Sequence, residues 1–105
     1  DGTQIAYLGQ GGHGCISVTA NVAPRLCSEM HAAWKAGDFA KVQQINDRLM
    51  PLHEALFCES SPGPVKYAAS LLGKADAGTR LPLTEIAASS KARVEAAMKS
   101  AGLLN

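Results

Sequence analysis

Gly11-Gly12-His13-Gly14-Cys15-Ile16-Ser17-Val18-Thr19-Ala20-Asn21-Val22-Ala23-Pro24 is the stretch on which the fold turns. Glycines lead into a β-rich run, with Ile16 and Val18 on one face and Cys15, Ser17 and Thr19 on the other. Neither face carries a charge, which suits the interior of a parallel sheet covered by helices. Asn21 then offers an N-cap, and Pro24 a first-turn residue whose missing N–H is harmless. The pattern predicts a strand over about 14–19 followed by a long helix. A lone strand is not a sheet, because its N–H and C=O groups need neighbours on both sides. The expectation is therefore the C-terminal piece of a larger α/β protein, and a first residue of Asp1 rather than Met agrees with it.

Upstream, residues 3–10 read as a short helix with Ile5 and Leu8 on one face, stopped by Gly11 and Gly12. Downstream, Leu26, Met30, Ala33 and Trp34 form one stripe of a helix that ends at Gly37. Asp38 caps the next helix, whose apolar positions Val42, Ile45, Leu49, Leu52 and Leu56 step by three and four, and Pro51 should kink it. Ser60-Ser61-Pro62-Gly63-Pro64 predicts a break, Val65 to Leu72 a short helix ended by Gly73, and Asp76 to Leu83 an extended connector. A last helix is expected from about Ala87 to Ala101, with Gly102 as its stop. The organisation is one β/α unit over 1–37 and a three-helix segment over 38–105.

With 105 residues the chain can form one small domain but not a whole α/β barrel, which needs ~250. A net charge of +1 leaves no electrostatic footprint for nucleic acid or an anionic membrane. No apolar run approaches the ~20 residues of a membrane span, and no basic-then-apolar leader is expected. Cys15, Cys27 and Cys58 are odd in number and lack a CxxC pair, so they read as thiols acting as small apolar groups in a reducing cytosol. His13, His31 and His53 show neither H-x-x-x-H nor H-E-x-x-H spacing, and Glu54 beside His53 adds nothing to a metal reading. Gly11, Gly12 and Gly14 lack the spacing of a phosphate-binding loop and suit close packing instead. Met30 and Trp34 read as core or interface.

Several motifs in one order resemble the C-terminal portion of dihydrodipicolinate synthase (4-hydroxy-tetrahydrodipicolinate synthase), a class I pyruvate-dependent aldolase. They are residues 11–24, then Ile45-Asn46-Asp47-Arg48-Leu49-Met50-Pro51-Leu52-His53, Pro64-Val65-Lys66, Arg80-Leu81-Pro82-Leu83-Thr84 and Ala101-Gly102-Leu103-Leu104. Residues 11–24 resemble the last barrel strand and helix of that family, and the match spans nearly the whole chain. Glu59-Ser60-Ser61-Pro62-Gly63-Pro64 departs from the family's usual Glu-Pro-Asn-Pro-Ile-Pro. The resemblance implies a TIM (β/α)8 barrel with C-terminal helices. It implies a lyase condensing pyruvate with L-aspartate 4-semialdehyde through a lysine Schiff base, toward diaminopimelate and lysine. It also implies a cytoplasmic homotetramer that uses no cofactor.

A Schiff-base lysine must be desolvated, and in a barrel it lies near the C-terminal end of a strand. Lys35, Lys41, Lys66, Lys74, Lys91 and Lys99 all fall on expected helices or connectors, so no catalytic residue is expected in this chain. The resemblance puts that lysine, the proton-relay hydroxyls and the carboxylate-binding arginine upstream. It makes Ile16 the residue that contacts pyruvate, largely through its backbone; the alternative for Ile16 is a lumen-facing residue that only packs. By the same resemblance Asp1 ends a Gly-Asp-Asp turn without a catalytic role, and Gln10 lies at the rim of a contact between dimers. Two other readings stay open beside this one, a free-standing helical interaction module and the tail of a related aldolase such as N-acetylneuraminate lyase. Isolated, the chain is expected to be inactive and to expose apolar surface that the missing N-terminal barrel segment would cover.

Overall fold

Four of the helices end on the same device, a glycine in the left-handed region, the first of them at Gly11 (φ 95°). After Trp34 the chain reaches Gly37 at φ 74°, where Gly37 N–H donates to Trp34 C=O and Asp38 N–H reaches back to Ala33 C=O at 2.9 Å. Gly73 (φ 68°) and Gly102 (φ 79°) close two later helices with the same pair of bonds. An L-residue resists this backbone and glycine does not, so these stops are written in the sequence.

The computed structural model describes all 105 residues and contains five α-helices and no strand. The helices are α1 (Gln4–Gly9), α2 (Pro24–Ala36), α3 (Phe39–Ala55), α4 (Gly63–Leu71) and α5 (Ala88–Ser100), with one 3-10 turn at Thr19–Asn21. The Asp38 carboxylate caps α3 by accepting Lys41 N–H at 3.1 Å, and α3 continues through Pro51. The long connector from α4 to α5 carries no regular structure apart from a turn at 81–82. No helix is long and apolar enough to cross a membrane.

The expected strand over 14–19 is not present. No backbone–backbone hydrogen bond involves residues 13–17, and Thr19 already belongs to the 3-10 turn. The β-rich composition is real, but a strand exists only against a neighbour, and no segment here supplies one. Asn21 is not the N-cap of α2 either. Ala23 occupies that position, while the Asn21 side chain turns back and donates to Val18 C=O at 3.0 Å. The break at 60–64 is shorter than expected, since α4 begins at Gly63 with Pro64 in its first turn, where a proline's missing N–H is tolerated.

A single core of 17 buried apolar residues runs through the helices. Leu26, Met30 and Ala33 of α2 meet Val42, Ile45 and Leu49 of α3, and the far side of α3 packs on Val94, Ala97, Met98 and Ala101 of the α5 end. Helix α4 adds Val65 and Ala68, packing on α5 and on the 3-10 turn. The stripes spaced by three and four thus face inward as expected. Trp34 is half-buried, edge-on to Phe39 with ring centroids 5.1 Å apart. Helix α5 lacks a side-chain cap of its own; Glu59, from the turn before α4, accepts Ala87 N–H at 2.8 Å instead. Hydrogen bonds from Ser90 and Ala87 hold the Glu59 carboxyl below its usual range.

Candidate functional site

Without a sheet to pair with, the Ile16 segment is held by side chains. The Asp1 carboxylate accepts the Ser17 hydroxyl and Thr19 N–H on its two oxygens, and Val18 N–H at 2.9 Å beside Thr19 N–H at 3.2 Å. Ser17 Oγ in turn accepts Ala20 N–H at 2.9 Å, which starts the 3-10 turn. Asp1 therefore supplies the acceptors that a neighbouring strand would have supplied. Ile16 lies just before this knot and is fully exposed.

From below, the knot is tied to α3. Thr19 is fully buried, and its Oγ1 lies 2.7 Å from His53 Nδ1. His53 is 5% exposed, and its other ring nitrogen, Nε2, is buried without a partner. Burial, and then the positive N-terminal amine, hold the His53 pKa below its ordinary value of 6.5. Beside the knot, burial raises the Cys27 thiol, a hydrogen bond with Ser17 opposes that, and the charge of Cys15 adds to it.

The depressed His53 has a consequence for stability. The unfolded chain takes up the imidazole proton first, at about pH 6.5, while the folded chain resists it. Stability is thus complete above that pH and declines as pH falls through the window between the ordinary and the folded value. A series of urea midpoints between pH 8 and pH 5 should fall toward the acid end, and the fall should shrink in His53→Asn. An equal slope in both proteins would refute the assignment.

The other sequence candidates do not converge. His13 is exposed, His31 is half-buried with its Nε2 against Gln4 Nε2, and no three His, Cys, Asp or Glu side chains gather into a metal-binding group. Lys35, Lys41, Lys74 and Lys99 are exposed on helices or the connector. Lys66 donates to Gly78 C=O, and Lys91 pairs with Glu85 while lying 5.5 Å above the Tyr67 ring. Gln10 is exposed at the end of α1. A separate cleft of about 580 Å³ lies between α4, α5 and the connector, where Tyr67, Ser70, Thr79, Glu85 and Lys91 face it. The Thr19–His53 pair was not readable in the sequence. The separation of 34 positions hides the contact, and nothing in the spacing of a lone helical histidine reveals it.

Comparison with known proteins gives a consistent picture. The model of the dihydrodipicolinate synthetase family matches residues 1–101. The 4-hydroxy-tetrahydrodipicolinate synthase of Gluconacetobacter diazotrophicus is 59% identical over 105 residues, covering 100% of this chain and 35% of that protein. Among solved structures, a monomeric dihydrodipicolinate synthase variant superposes with a TM-score of 0.95 at 36% identity, over 99% of this chain and 35% of its own. A chloride-inhibited dihydrodipicolinate synthase from Acinetobacter baumannii, complexed with pyruvate, superposes with a TM-score of 0.90 at 41% identity, over 98% of this chain and 35% of its own. The chain spans about a third of the length of the relatives it matches.

Proposed function

The chain belongs to the dihydrodipicolinate synthetase family, and from that premise we propose that it serves as the C-terminal part of a lyase condensing pyruvate with L-aspartate 4-semialdehyde. The observation that carries the reading is the match of all 105 residues of this chain to 35% of a 4-hydroxy-tetrahydrodipicolinate synthase at 59% identity. In this reading residues 1–37 complete a (β/α)8 barrel and residues 38–105 form its helical appendage. The exposed Ile16 and the unpaired backbone of residues 13–17 then gain their partners from the preceding barrel strand.

Within the complete enzyme the Schiff-base lysine comes from the barrel portion outside these residues. None of the six lysines here is buried, and a Schiff-base nucleophile needs a desolvated setting that none of them has. The part played by this chain is to form one wall of the pyruvate pocket. Ile16, exposed in this chain, faces pyruvate there and contacts it largely through its backbone. Asp1 and Ser17 hold the segment in place without taking part in proton transfer. The Acinetobacter relative, whose structure holds pyruvate, supports this assignment by its likeness over nearly the whole chain. The complete enzyme is a cytoplasmic homotetramer, with Gln10 at the rim of a contact between dimers.

Intact mass after incubation with pyruvate and borohydride tests this reading. The chain should remain at 10.9 kDa without an adduct. A chimera in which residues 1–105 replace the corresponding part of the Gluconacetobacter synthase should be trapped as a pyruvyl adduct. An adduct on the short chain would make one of its own lysines the nucleophile and overturn the assignment.

A further inference from the structure

Thr19 is gripped from two sides. Its backbone N–H, with that of Val18, is accepted by the Asp1 carboxylate, and its hydroxyl lies 2.7 Å from His53 Nδ1. Thr19 is fully buried and His53 nearly so, so water cannot replace either partner of this bond. Three residues earlier stands Ile16, on a segment with no backbone ladder to fix it. The only side-chain hydrogen bond in this knot that comes from the helical portion after Gly37 is the one from His53.

We propose that His53 is a positioning residue for the Ile16 segment, holding it through Thr19 while Asp1 holds it from the other side. The inference rests on the pyruvate-pocket reading above. Through this bond, α3 and the helical appendage set where the Ile16 backbone stands. Chemically, His53 does nothing to substrate, since one hydrogen bond and the residues Ser17 and Val18 separate it from Ile16.

The test has two arms. In the 105-residue chain, Thr19→Val removes the hydroxyl at nearly constant shape, and exchange of the Val18 and Thr19 amides, which Asp1 holds, should accelerate about five-fold, as expected for one lost hydrogen bond of ~1 kcal/mol. Unchanged exchange would overturn the proposal. In the chimeric synthase, Thr19→Val and His53→Leu should each raise the pyruvate KM about five-fold with kcat altered less than two-fold. Thr19→Ser and His53→Asn, which can keep a polar contact at this position, should restore KM. A purely structural role would lower the active fraction, and so apparent kcat, without moving KM, and that result would also overturn the proposal. If Thr19→Val fails to fold, the comparison of His53→Leu with His53→Asn decides the same question. The unsubstituted chimera keeps the two readings apart. If it forms no pyruvyl adduct, the pyruvate-pocket reading fails, and if it forms one while KM is indifferent to both residues, only the role of His53 fails.

Discussion

Leu49→Ala should lower the stability of this chain by about 2–5 kcal/mol, the range for emptying a fully enclosed leucine site. Leu49 is completely buried at the centre of α3, where the helix meets α2 on one side and α5 on the other. Neither neighbour can collapse into the void without giving up contacts with the other, which places the cost in the upper part of that range. A small domain has a total stability of only ~5–15 kcal/mol, so the loss is a large fraction of it. The urea midpoint should fall sharply, and melting should come at least about 8 °C earlier. Leu81→Ala is the control, since Leu81 is 83% exposed on the connector and should change stability by less than ~0.5 kcal/mol. Equal effects from the two substitutions would mean that the helices do not share the core described here.

Gly102→Ala should cost more than Gly37→Ala, although both glycines end a helix in the same way. At Gly37, φ is 74° and an added Cβ would meet nothing within 4 Å, so only left-handed backbone strain of ~1–2 kcal/mol is incurred. At Gly102, φ is 79° and the added Cβ would lie 2.5 Å from Arg48 Nη2. Arg48 can swing away, but its planar guanidinium then loses the bond from Nε to Ala101 C=O, now 2.8 Å long. That bond joins α3 to the end of α5 and is partly exposed, so its loss adds ~1 kcal/mol. Gly102→Ala should therefore destabilise by about 2–3 kcal/mol in denaturant titration. In Arg48→Ala, where the bond is already gone, the cost should drop to the Gly37 level. If Gly102→Ala and Gly37→Ala prove equal in the unmodified chain, Arg48 contributes nothing at this helix end.

Much of the helical architecture was legible in the residues. The stop at Gly37, the Asp38 cap and the inward stripe Val42, Ile45, Leu49, Leu52 obey local rules, because a helix satisfies its own backbone within four residues. The segment 14–19 was not legible for the opposite reason. Its β-branched run is as good a strand as composition can make, and a strand is completed only by another segment. Asn21 failed as a cap on a smaller scale. Its side chain could serve either end of a turn, and the bond to Val18 C=O decided against the helix.

The candidate site divides along the same line. Ile16 could be singled out from the motif around it, since a run of neighbouring residues carries that information. Asp1 was visible only as the end of a turn, and its grip on Ser17, Val18 and Thr19 spans 16 to 18 positions. By itself the sequence determined the helices, their boundaries at glycine and aspartate, and the family to which they point, all of which reside in local patterns and their order. Only the tertiary structure decided that residues 13–17 form no strand, that Asp1 and His53 share the hold on Thr19, and that Glu59 caps a helix 28 residues away. Those outcomes depend on which distant groups come within hydrogen-bonding distance of one another, and chain proximity does not encode that.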